Sequence, residues 1–375
     1  MGSNYKKLGG YIRQIDLRNS DASLGEENLY GISVTKEFII SHANLVGVTF
    51  DSYKVVAPRQ FAYIPDTSRR GDKIAISLNT FGEDIIVSSI CSVFEIIDEN
   101  QLLPEYLMLW FMRPEFDRYA RFMSNGSARE VFDWDCMCGV ELPVPTIEEQ
   151  KKTILHQQIL SHRIDLLKKI NDNLEAQAQA YFDSLFITSK TPDCTLADIS
   201  VVNPTRSLQK GTIARCFEMA TLPTSGCIPI GGGLKPYNGG VRFINGDTII
   251  ARITPCLENG KAAYINVLNE GEVAFGSTEY IVFAAKEGYP SSFYYFLIRN
   301  SQFVKFALQF MNGSSGRQRV SGEELASFPL KRPNHDQLLA FDRIGNAVLE
   351  QMKHYAQEIQ SLKQLQDIQA AALSR

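Results

Sequence analysis

The stretch that decides the fold is 146–187, TIEEQKKTILHQQILSHRIDLLKKINDNLEAQAQAYFDSLFI, which follows Pro145. Its apolar residues mostly recur every three or four positions, and Glu, Gln, Asn and Lys fill the positions between them. This spacing is typical of an amphipathic helix. A helix of about 40 residues extends about 60 Å at roughly 1.5 Å per residue, which is longer than a small domain. The stretch therefore predicts a long helix between two folded bodies.

A second stretch of the same kind, 334–375, ends the sequence. We expect the two helices to pack against each other in antiparallel directions along an apolar seam. In the first helix the seam is predicted at Leu155, Ile159, His162, Leu166, Ile170, Leu174, Tyr181 and Leu185, and in the second at Ile344, Val348, Met352, Tyr355, Ile359, Leu362 and Leu373. Apolar residues beyond that seam predict contacts with helices of a partner protein: Ile154, Leu160, Ile164 and Leu167.

Length and composition are those of a globular protein with more than one core. The chain has 375 residues, of which 44% are hydrophobic and 21% charged. No apolar run reaches the roughly 18 residues that a membrane span needs, and the N-terminus lacks the apolar segment of a signal peptide. We therefore expect a cytoplasmic protein. The seven cysteines include no C-x-x-C pair and the five histidines are scattered, so we expect reduced thiols and no metal site.

Charge is distributed unevenly along the sequence, although the net charge is only −4. Residues 1–145 contain 14 Lys and Arg against 20 Asp and Glu, a net charge of −6. Residues 188–333 contain 15 against 11, a net charge of +4. A protein that binds nucleic acid alone is usually basic overall, so a DNA function would require basic loops or a basic partner.

The two halves repeat one order of signals. Each has short β-prone runs, then a proline and an aromatic helix, a Gly-Ser loop, a second proline and a long helix. Arg113 and Arg299 occupy the same place, 186 residues apart. We predict an α+β protein of four segments, with pseudo-twofold symmetry: a first globular domain at 1–145, a central helix at 146–187, a second globular domain at 188–333 and a C-terminal helix at 334–375.

Several motifs give the chain a resemblance to the specificity subunits of type I restriction-modification systems. The stretch from Asn245 to Pro255, with Gly260-Lys261-Ala262-Ala263 and Ser277-Thr278-Glu279-Tyr280, resembles one type of target-recognition domain. The first half resembles another type, through Tyr53-Lys54-Val55-Val56, Phe61-Ala62-Tyr63, Arg69-Arg70-Gly71-Asp72-Lys73-Ile74, Val87-Ser88 and Leu103-Pro104-Glu105-Tyr106-Leu107. The Pro-x-Pro and Glu149-Gln150 start of the first long helix is similar to the conserved helices of that family.

The resemblance implies a noncatalytic subunit that reads DNA sequence. In such systems two target-recognition domains read the halves of a bipartite, asymmetric duplex target, and the long helices set the spacer between the halves. Two methyltransferase subunits dock on the helices, and up to two motor-nuclease subunits join for restriction. This chain would itself bind no cofactor; S-adenosylmethionine would be held by the methyltransferase, and ATP and Mg by the motor-nuclease.

Chemical motifs in the sequence agree with a noncatalytic reader. There is no Asn/Asp-Pro-Pro-aromatic tetrapeptide of the amino-methyltransferases and no phosphate-binding G-x-x-x-x-G-K-[ST] loop. The glycine run Gly231-Gly232-Gly233 is soon followed by Pro236, so we interpret it as a flexible loop rather than a phosphate cradle.

Reading bases in the major groove requires forked donors and amides on loops. In the first domain the candidates are Lys54, Arg59, Gln60, Tyr63, Arg69, Arg70, Lys73, Asn79 and Arg129. In the second they are Lys235, Tyr237, Asn238, Arg252, Thr254, Asn259, Arg317, Gln318 and Arg319. Each could instead be a solvated charge or a turn residue, and Ser277-Thr278-Glu279 could be a buried polar brace or a DNA contact.

Two other functions are compatible with the same pattern. One is the recognition subunit of a type II split methyltransferase-nuclease, which uses the same architecture. The other is a coiled-coil scaffold that carries paired adaptor domains and binds no DNA.

Overall fold

The computed structural model of the chain describes residues 5–41, 47–67, 71, 73–124, 130–187, 191–314 and 316–373. Contacts divide the chain into two compact units. The first comprises Met1–His162 with Leu362–Arg375, and the second comprises Arg163–Ser361. Within the described ranges, no helix combines the length and the apolar character needed to cross a lipid bilayer.

The first unit consists of short strands, three short helices and parts of two long helices. Its strands are β1 (Tyr5–Lys7), β2 (Ile12–Ile15), β3 (Tyr30–Ile32), β4 (Phe38–Ile40), β5 (Lys54–Val56), β6 (Phe61–Tyr63), β7 (Ile76–Leu78), β8 (Ile85–Val87), β9 (Ser92–Ile96) and β10 (Glu141–Pro143). Its short helices are α1 (Pro104–Phe111), α2 (Pro114–Met123) and α3 (Trp134–Cys138), and the long helix α4 (Ile147–Phe186) begins in this unit.

Local chemistry accounts for where these helices begin. Pro104 and Pro114 each occupy the first helical position, where the missing N–H costs nothing. The Asp133 side chain caps α3 by accepting a hydrogen bond from the Cys136 N–H at 2.8 Å. An antiparallel sheet in the order β2-β9-β6-β7 packs on these helices, with Phe61 and Phe94 stacked at 4.8 Å between ring centroids.

The second unit holds the rest of α4 and the following elements. Its strands are β11 (Cys194–Thr195), β12 (Ser200–Val202), β13 (Ile213–Phe217), β14 (Gly233–Pro236), β15 (Val241–Phe243), β16 (Thr248–Ala251), β17 (Ala262–Tyr264), β18 (Ala274–Gly276), β19 (Tyr280–Ala285) and β20 (Pro329–Leu330). Its helices are α5 (Leu196–Ile199), α6 (Ser292–Arg299), α7 (Ser301–Gln309), α8 (Gly322–Ala326) and most of α9 (His335–Ala372).

The two units repeat one hydrogen-bonding frame. The sheet β2-β9-β6-β7 of the first unit has its counterpart in β12-β19-β16-β17 of the second, and both sheets are antiparallel throughout. The pair β1 and β10, at the two ends of the first half, corresponds to β11 and β20. Three short helices follow each four-stranded sheet in the same order. The predicted duplication and the predicted α+β fold class are confirmed.

The units differ in their remaining strands. In the first unit β3 pairs with β4 and β5 pairs with β8, as separate two-stranded sheets. In the second unit the order is β14-β13-β18-β15, with β13 and β18 parallel. The sequence analysis interpreted Gly231-Gly232-Gly233 as a flexible loop, but Gly233 begins β14, and the β-prone segments 222–223 and 228–230 form no strand. Ile228 packs against an apolar core, whereas Ile230 is 63% exposed and its N–H donates to Thr221 O at 2.9 Å, so this segment belongs to no sheet.

The long helices run antiparallel within each unit. In the first unit the Gln366 side chain donates a hydrogen bond to Ser161 Oγ at 2.8 Å, and Ile154 and Leu373 border the same apolar core. In the second unit Arg163 pairs with Glu358 at 2.5 Å, whereas the Phe182 ring contacts Phe341. Partners that come later on α4 therefore come earlier on α9, as predicted for an antiparallel pair.

The buried stripe of α4 differs from the predicted seam. Ile164 and Leu167 are 4% and 6% exposed, so their interpretation as surplus positions for a partner is wrong. Leu160 and Ile154 are half-buried. The buried and half-buried positions follow heptad spacing at Gln157, Leu160, Ile164, Leu167, Asn171, Leu174, Ala178, Tyr181 and Leu185. The predicted seam residues Leu155, Ile159, Leu166 and Ile170 are instead 41–55% exposed.

Adjacent leucines in the second unit test this assignment. Leu167→Ala should lower the free energy of unfolding by about 2–5 kcal/mol, because it removes a buried side chain and leaves a cavity. Leu166→Ala should change it by less than about 0.5 kcal/mol, because that side chain is 45% exposed. Urea unfolding followed by circular dichroism measures both, and equal losses would contradict the heptad stripe.

Candidate nucleic-acid interface

In the second unit, the turn after β16 is joined to the segment that follows the Gly-Ser loop. The Thr254 N–H donates to Gln318 O at 3.0 Å, and the Gln318 N–H donates to Thr254 Oγ1 at 3.0 Å. The Val320 N–H donates to Arg252 O at 3.0 Å. Two loops that are distant in sequence therefore form one surface, and they carry five of the predicted DNA contacts: Arg252, Thr254, Arg317, Gln318 and Arg319.

Glu279 occupies the centre of this surface. Its carboxylate accepts hydrogen bonds from Arg319 at 2.8 and 3.0 Å and from Arg252 Nε at 3.1 Å. Hydrogen bonding by Arg319, the largest cause, together with the charges of both arginines, holds the pKa of Glu279 below its usual value. The glutamate therefore remains ionised at neutral pH. Of the two roles considered for Ser277-Thr278-Glu279, the contacts of Glu279 favour the brace.

A second group of predicted residues follows the glycine run. Lys235 lies on the exposed strand β14 and pairs with Glu218 at 2.5 Å, and Asn238 is exposed. The Tyr237 ring packs edge-on against Phe275, with 5.2 Å between centroids. Arg242, which sequence reasoning missed, places its guanidinium 5.9 Å from the Tyr237 ring centroid. The proximity of Arg242 to Tyr237 follows only from the fold. A basic residue close to the glycines Gly239 and Gly240 could nevertheless have indicated Arg242 as a candidate contact.

The two groups flank one segment, Gly276–Glu279. Val241 pairs with Gly276 across β15 and β18, three residues before Glu279. Gly240 has φ +106, and a Cβ there would lie 2.0 Å from Gly276 O. This close approach requires glycine. The arginine surface and the Tyr237 group therefore lie at the same edge of the second unit.

Arg317 and Asn259 are two further predicted contacts of the second unit. Both side chains are exposed, and among the residues that the structure describes neither makes a side-chain hydrogen bond or ion pair. The turn that carries Asn259 is held in place by Arg299, whose guanidinium donates to Gly260 O at 2.7 Å and Gly226 O at 2.7 Å. Thr254, in contrast, is 9% exposed and has a structural role in the turn.

In the first unit, several predicted contact residues are structural. Tyr63 is fully buried and Asn79 is 1% exposed, with its amide donating to Val56 O and Glu83 O. Their prediction as DNA contacts is wrong, because both belong to the packed interior beside β6 and β7. Lys54 is 8% exposed and pairs with Asp16 at 3.1 Å, so it too is occupied within its own unit.

Arg59 and Gln60 are also engaged with carboxylates. Arg59 pairs with Glu99 and Glu105, both at 2.6 Å, and Gln60 donates to Glu95 at 2.7 Å. The two ion pairs compensate the positive charge of Arg59, and the hydrogen bond occupies the amide of Gln60. Lys73 is exposed. The other three candidates, Arg69, Arg70 and Arg129, lie outside the described residues.

The first unit nevertheless contains the same junction as the second. The Thr67 N–H donates to Glu130 O at 3.0 Å, and the Phe132 N–H donates to Pro65 O at 2.9 Å. Thr67 thus corresponds to Thr254, and Pro65 to Arg252. The segments that precede 68–70 and follow 125–129 are therefore joined, as are their counterparts in the second unit.

Metal-ligating side chains and cysteine thiols are also predicted to have no functional role. In the described part of the chain, no cluster of three or more His, Cys, Asp or Glu side chains is placed to hold a metal ion. Burial raises the pKa of the Cys194, Cys216 and Cys227 thiols. Such thiols are poor nucleophiles at neutral pH.

Substitutions of the two neighbouring arginines separate structural from surface roles. Arg319→Ala should lower the melting temperature slightly at pH 7, whereas Arg317→Ala should leave it unchanged, because only Arg319 pairs with Glu279. Since the pKa of Glu279 is lowered in the folded state, this stabilisation is present above the usual value of 4.5 and is lost as pH falls further. The difference between the variants should therefore shrink in acid. A difference that is constant in differential scanning fluorimetry from pH 7 to pH 3 would contradict the ion pair.

Parts of the sequence are similar to known proteins. No protein-family profile matches the chain. Two curated relatives from Escherichia coli are similar over short stretches: the type I restriction enzyme EcoAI specificity subunit is 39% identical over 83 residues, and the EcoEI specificity subunit is 32% identical over 96 residues. These stretches cover 22% and 25% of this chain, but only 14% and 16% of the two relatives.

A solved structure is similar over nearly the whole chain. The crystal structure of the type I restriction-modification system S subunit from M. genitalium matches with a TM-score of 0.59 and 12% identity. The match covers 99% of this chain and 96% of that chain. The chain is therefore similar to the specificity subunits of type I restriction-modification systems, in fold over nearly its whole length and in sequence over about a quarter of it.

Proposed function

We propose that this chain is the DNA sequence-specificity subunit of a type I restriction-modification complex. It reads a bipartite, asymmetric duplex target, with one unit for each half-site, and it catalyses no reaction itself. The observation that carries the proposal is the repeated frame, β2-β9-β6-β7 and β12-β19-β16-β17, joined to two long antiparallel helices. This arrangement supplies two recognition edges on one chain.

Differences between the units support an asymmetric target. The strands outside the common frame pair differently, and the residues at the recognition edges differ as well. Arg252 in the second unit corresponds to Pro65 in the first, through equivalent backbone hydrogen bonds. Because guanidinium groups and proline rings cannot make the same base contacts, the two half-sites should differ in sequence.

The distribution of charge supports a DNA function that depends on partners. The segment 188–333 has a net charge of +4, and its edge presents the cations Arg317 and Arg242. The segment 1–145 has a net charge of −6, and Lys54 and Arg59 are paired with carboxylates. Since phosphate neutralisation dominates the affinity for DNA, tight binding would require basic surfaces of partner subunits.

Exposed apolar residues on the long helices support docking of those partners. In the first unit these are Leu155, Ile159, Leu365 and Ile368, and in the second they are Leu166, Ile170, Leu339 and Ile344. We propose that two methyltransferase subunits, which bind S-adenosylmethionine, pack on these residues. Up to two motor-nuclease subunits, which use ATP and Mg, would join through them in the cytoplasm.

Mapping of methylated bases tests the function directly. The chain is expressed with the methyltransferase subunits of its own system in a host without adenine methylation, and the genomic DNA is sequenced by a long-read method. We expect one motif with two different half-sites and a constant number of unspecified base pairs between them. A contiguous motif would contradict the two-unit reader. Absence of any motif, with no gel shift of duplex DNA, would favour the scaffold alternative.

Charge introduced into the exposed stripe tests partner docking. The double substitution Leu166→Glu and Ile170→Glu should abolish copurification with a tagged methyltransferase subunit, because it places two carboxylates in an apolar interface. The melting temperature of the chain alone should be preserved, since both side chains are more than 40% exposed. Gln177→Glu, at an exposed polar position of the same helix, is the control. Copurification of the double variant at the wild-type level would place the interface elsewhere.

A further inference from the structure

We propose that Glu279 is a positioning residue that fixes Arg252 and Arg319 as a guanidinium pair and thereby sets the sequence preference of the half-site read by the second unit. The inference rests on the proposed function, and it assigns one determinant of specificity within it. Three segments meet at this carboxylate: the end of β16, the start of β19 and the return from the Gly-Ser loop.

The geometry is that of a carboxylate shared between two arginines. Arg319 approaches with Nε and Nη2, at 3.0 and 2.8 Å, and Arg252 approaches with Nε at 3.1 Å. The backbone reinforces the arrangement, because the Arg252 N–H donates to Glu279 O at 3.0 Å. Paired arginines held in this way lose few rotamers on binding, which favours specific recognition.

Both arginines keep donors that Glu279 does not use. Among the described residues, the two Nη atoms of Arg252 make no hydrogen bond. Arg319 directs Nη1 at Arg317 O, at 3.1 Å, so the Gly-Ser loop is tied to the same group. The Arg252 and Arg319 side chains are 35% and 40% exposed, whereas that of Glu279 is 23% exposed. The carboxylate is thus the inner member of the cluster, and the guanidinium edges are the outer ones.

The described part of the first unit does not repeat the cluster at the equivalent positions, although it shares the frame. Equivalent backbone pairings align Pro65 with Arg252, Val131 with Arg319 and Ile90 with Glu279. None of these three residues carries a charge. A change at Glu279 should therefore affect one half of the target, and the other half provides an internal control.

Substitution by aspartate tests positioning at constant charge. Glu279→Asp shortens the side chain by one methylene, so that its carboxylate cannot reach both arginines, while the net charge and hence the nonspecific attraction to DNA are kept. The wild-type and variant chains, each in complex with the methyltransferase subunits, select from a library of duplexes with randomised half-sites. Arg317→Ala identifies the half-site that the second unit reads.

We expect the base preference at that half-site to fall about tenfold in Glu279→Asp, because one arginine contact with a base loses its fixed orientation. The preference at the other half-site should be unchanged, and the melting temperature should fall no further than in Arg319→Ala. Glu270→Asp, at an exposed acidic position of the same unit, should behave as wild type. Equal loss at both half-sites, or no loss, would overturn the assignment.

A double-substitution cycle separates positioning from direct base contact by Glu279. Arg319→Lys keeps the charge but loses the two-pronged pairing, so it should reduce the same preference. The double variant should lose no more than the larger single loss, because both changes break one unit. Losses that multiply would mean that Glu279 contacts the DNA independently, which overturns the proposal.

Two further outcomes are decisive. If Glu279→Asp unfolds, Glu279→Gln, which keeps the length of the side chain, is measured in its place. Unfolding of both variants would mean that Glu279 is required for folding rather than for base preference, and it would overturn the proposal. If the wild-type complex selects no bipartite motif, the proposed function itself fails. That result is distinct from a normal wild-type motif with an unaltered variant, which rejects only the role of Glu279.

Discussion

Each long helix carries an apolar stripe that its antiparallel partner must cover, and the rest of the structure depends on this constraint. An isolated amphipathic helix of about 40 residues gains most of its stability from packing of that stripe rather than from helix propensity. In each unit the antiparallel partner provides the cover, with Ile164 and Leu167 buried in the second unit. Gln157 lies in the same stripe and donates to the Gln366 backbone, a polar contact of the kind that can specify register.

The order of the strands within each sheet is set by backbone hydrogen bonds, which do not depend on the identity of the side chains. The frame of four antiparallel strands recurs in both units with very different side chains, because its pairing requires backbone groups and alternate burial only. Strands outside the frame are free to pair in different ways. The supporting structure is therefore constant between the two units, while the edge that carries the loops differs.

The ability of an arginine to bind an anion depends on whether a carboxylate already pairs with it. Arg59 and Arg317 are both arginines on loops, but Arg59 faces Glu99 and Glu105, whereas Arg317 makes no side-chain pair among the described residues. A paired arginine offers little net charge to a phosphate, although it can still present a fixed edge. Glu279 illustrates that second property, since it compensates part of the positive charge of Arg252 and Arg319 and holds both guanidinium groups by hydrogen bonds.

The sequence by itself determined the two long helices, the duplication and the α+β class, because the periodicity, the prolines and the order of signals are local properties. It could not determine which face of α4 is buried, since apolar residues occupy both stripes and only the neighbours of Leu166 and Leu167 distinguish them. Nor could it separate Tyr63 and Asn79, which are buried, from Asn259, which is exposed. Residue type limits what a side chain can bind, but long-range packing decides whether its donors face solvent or are already satisfied within the fold.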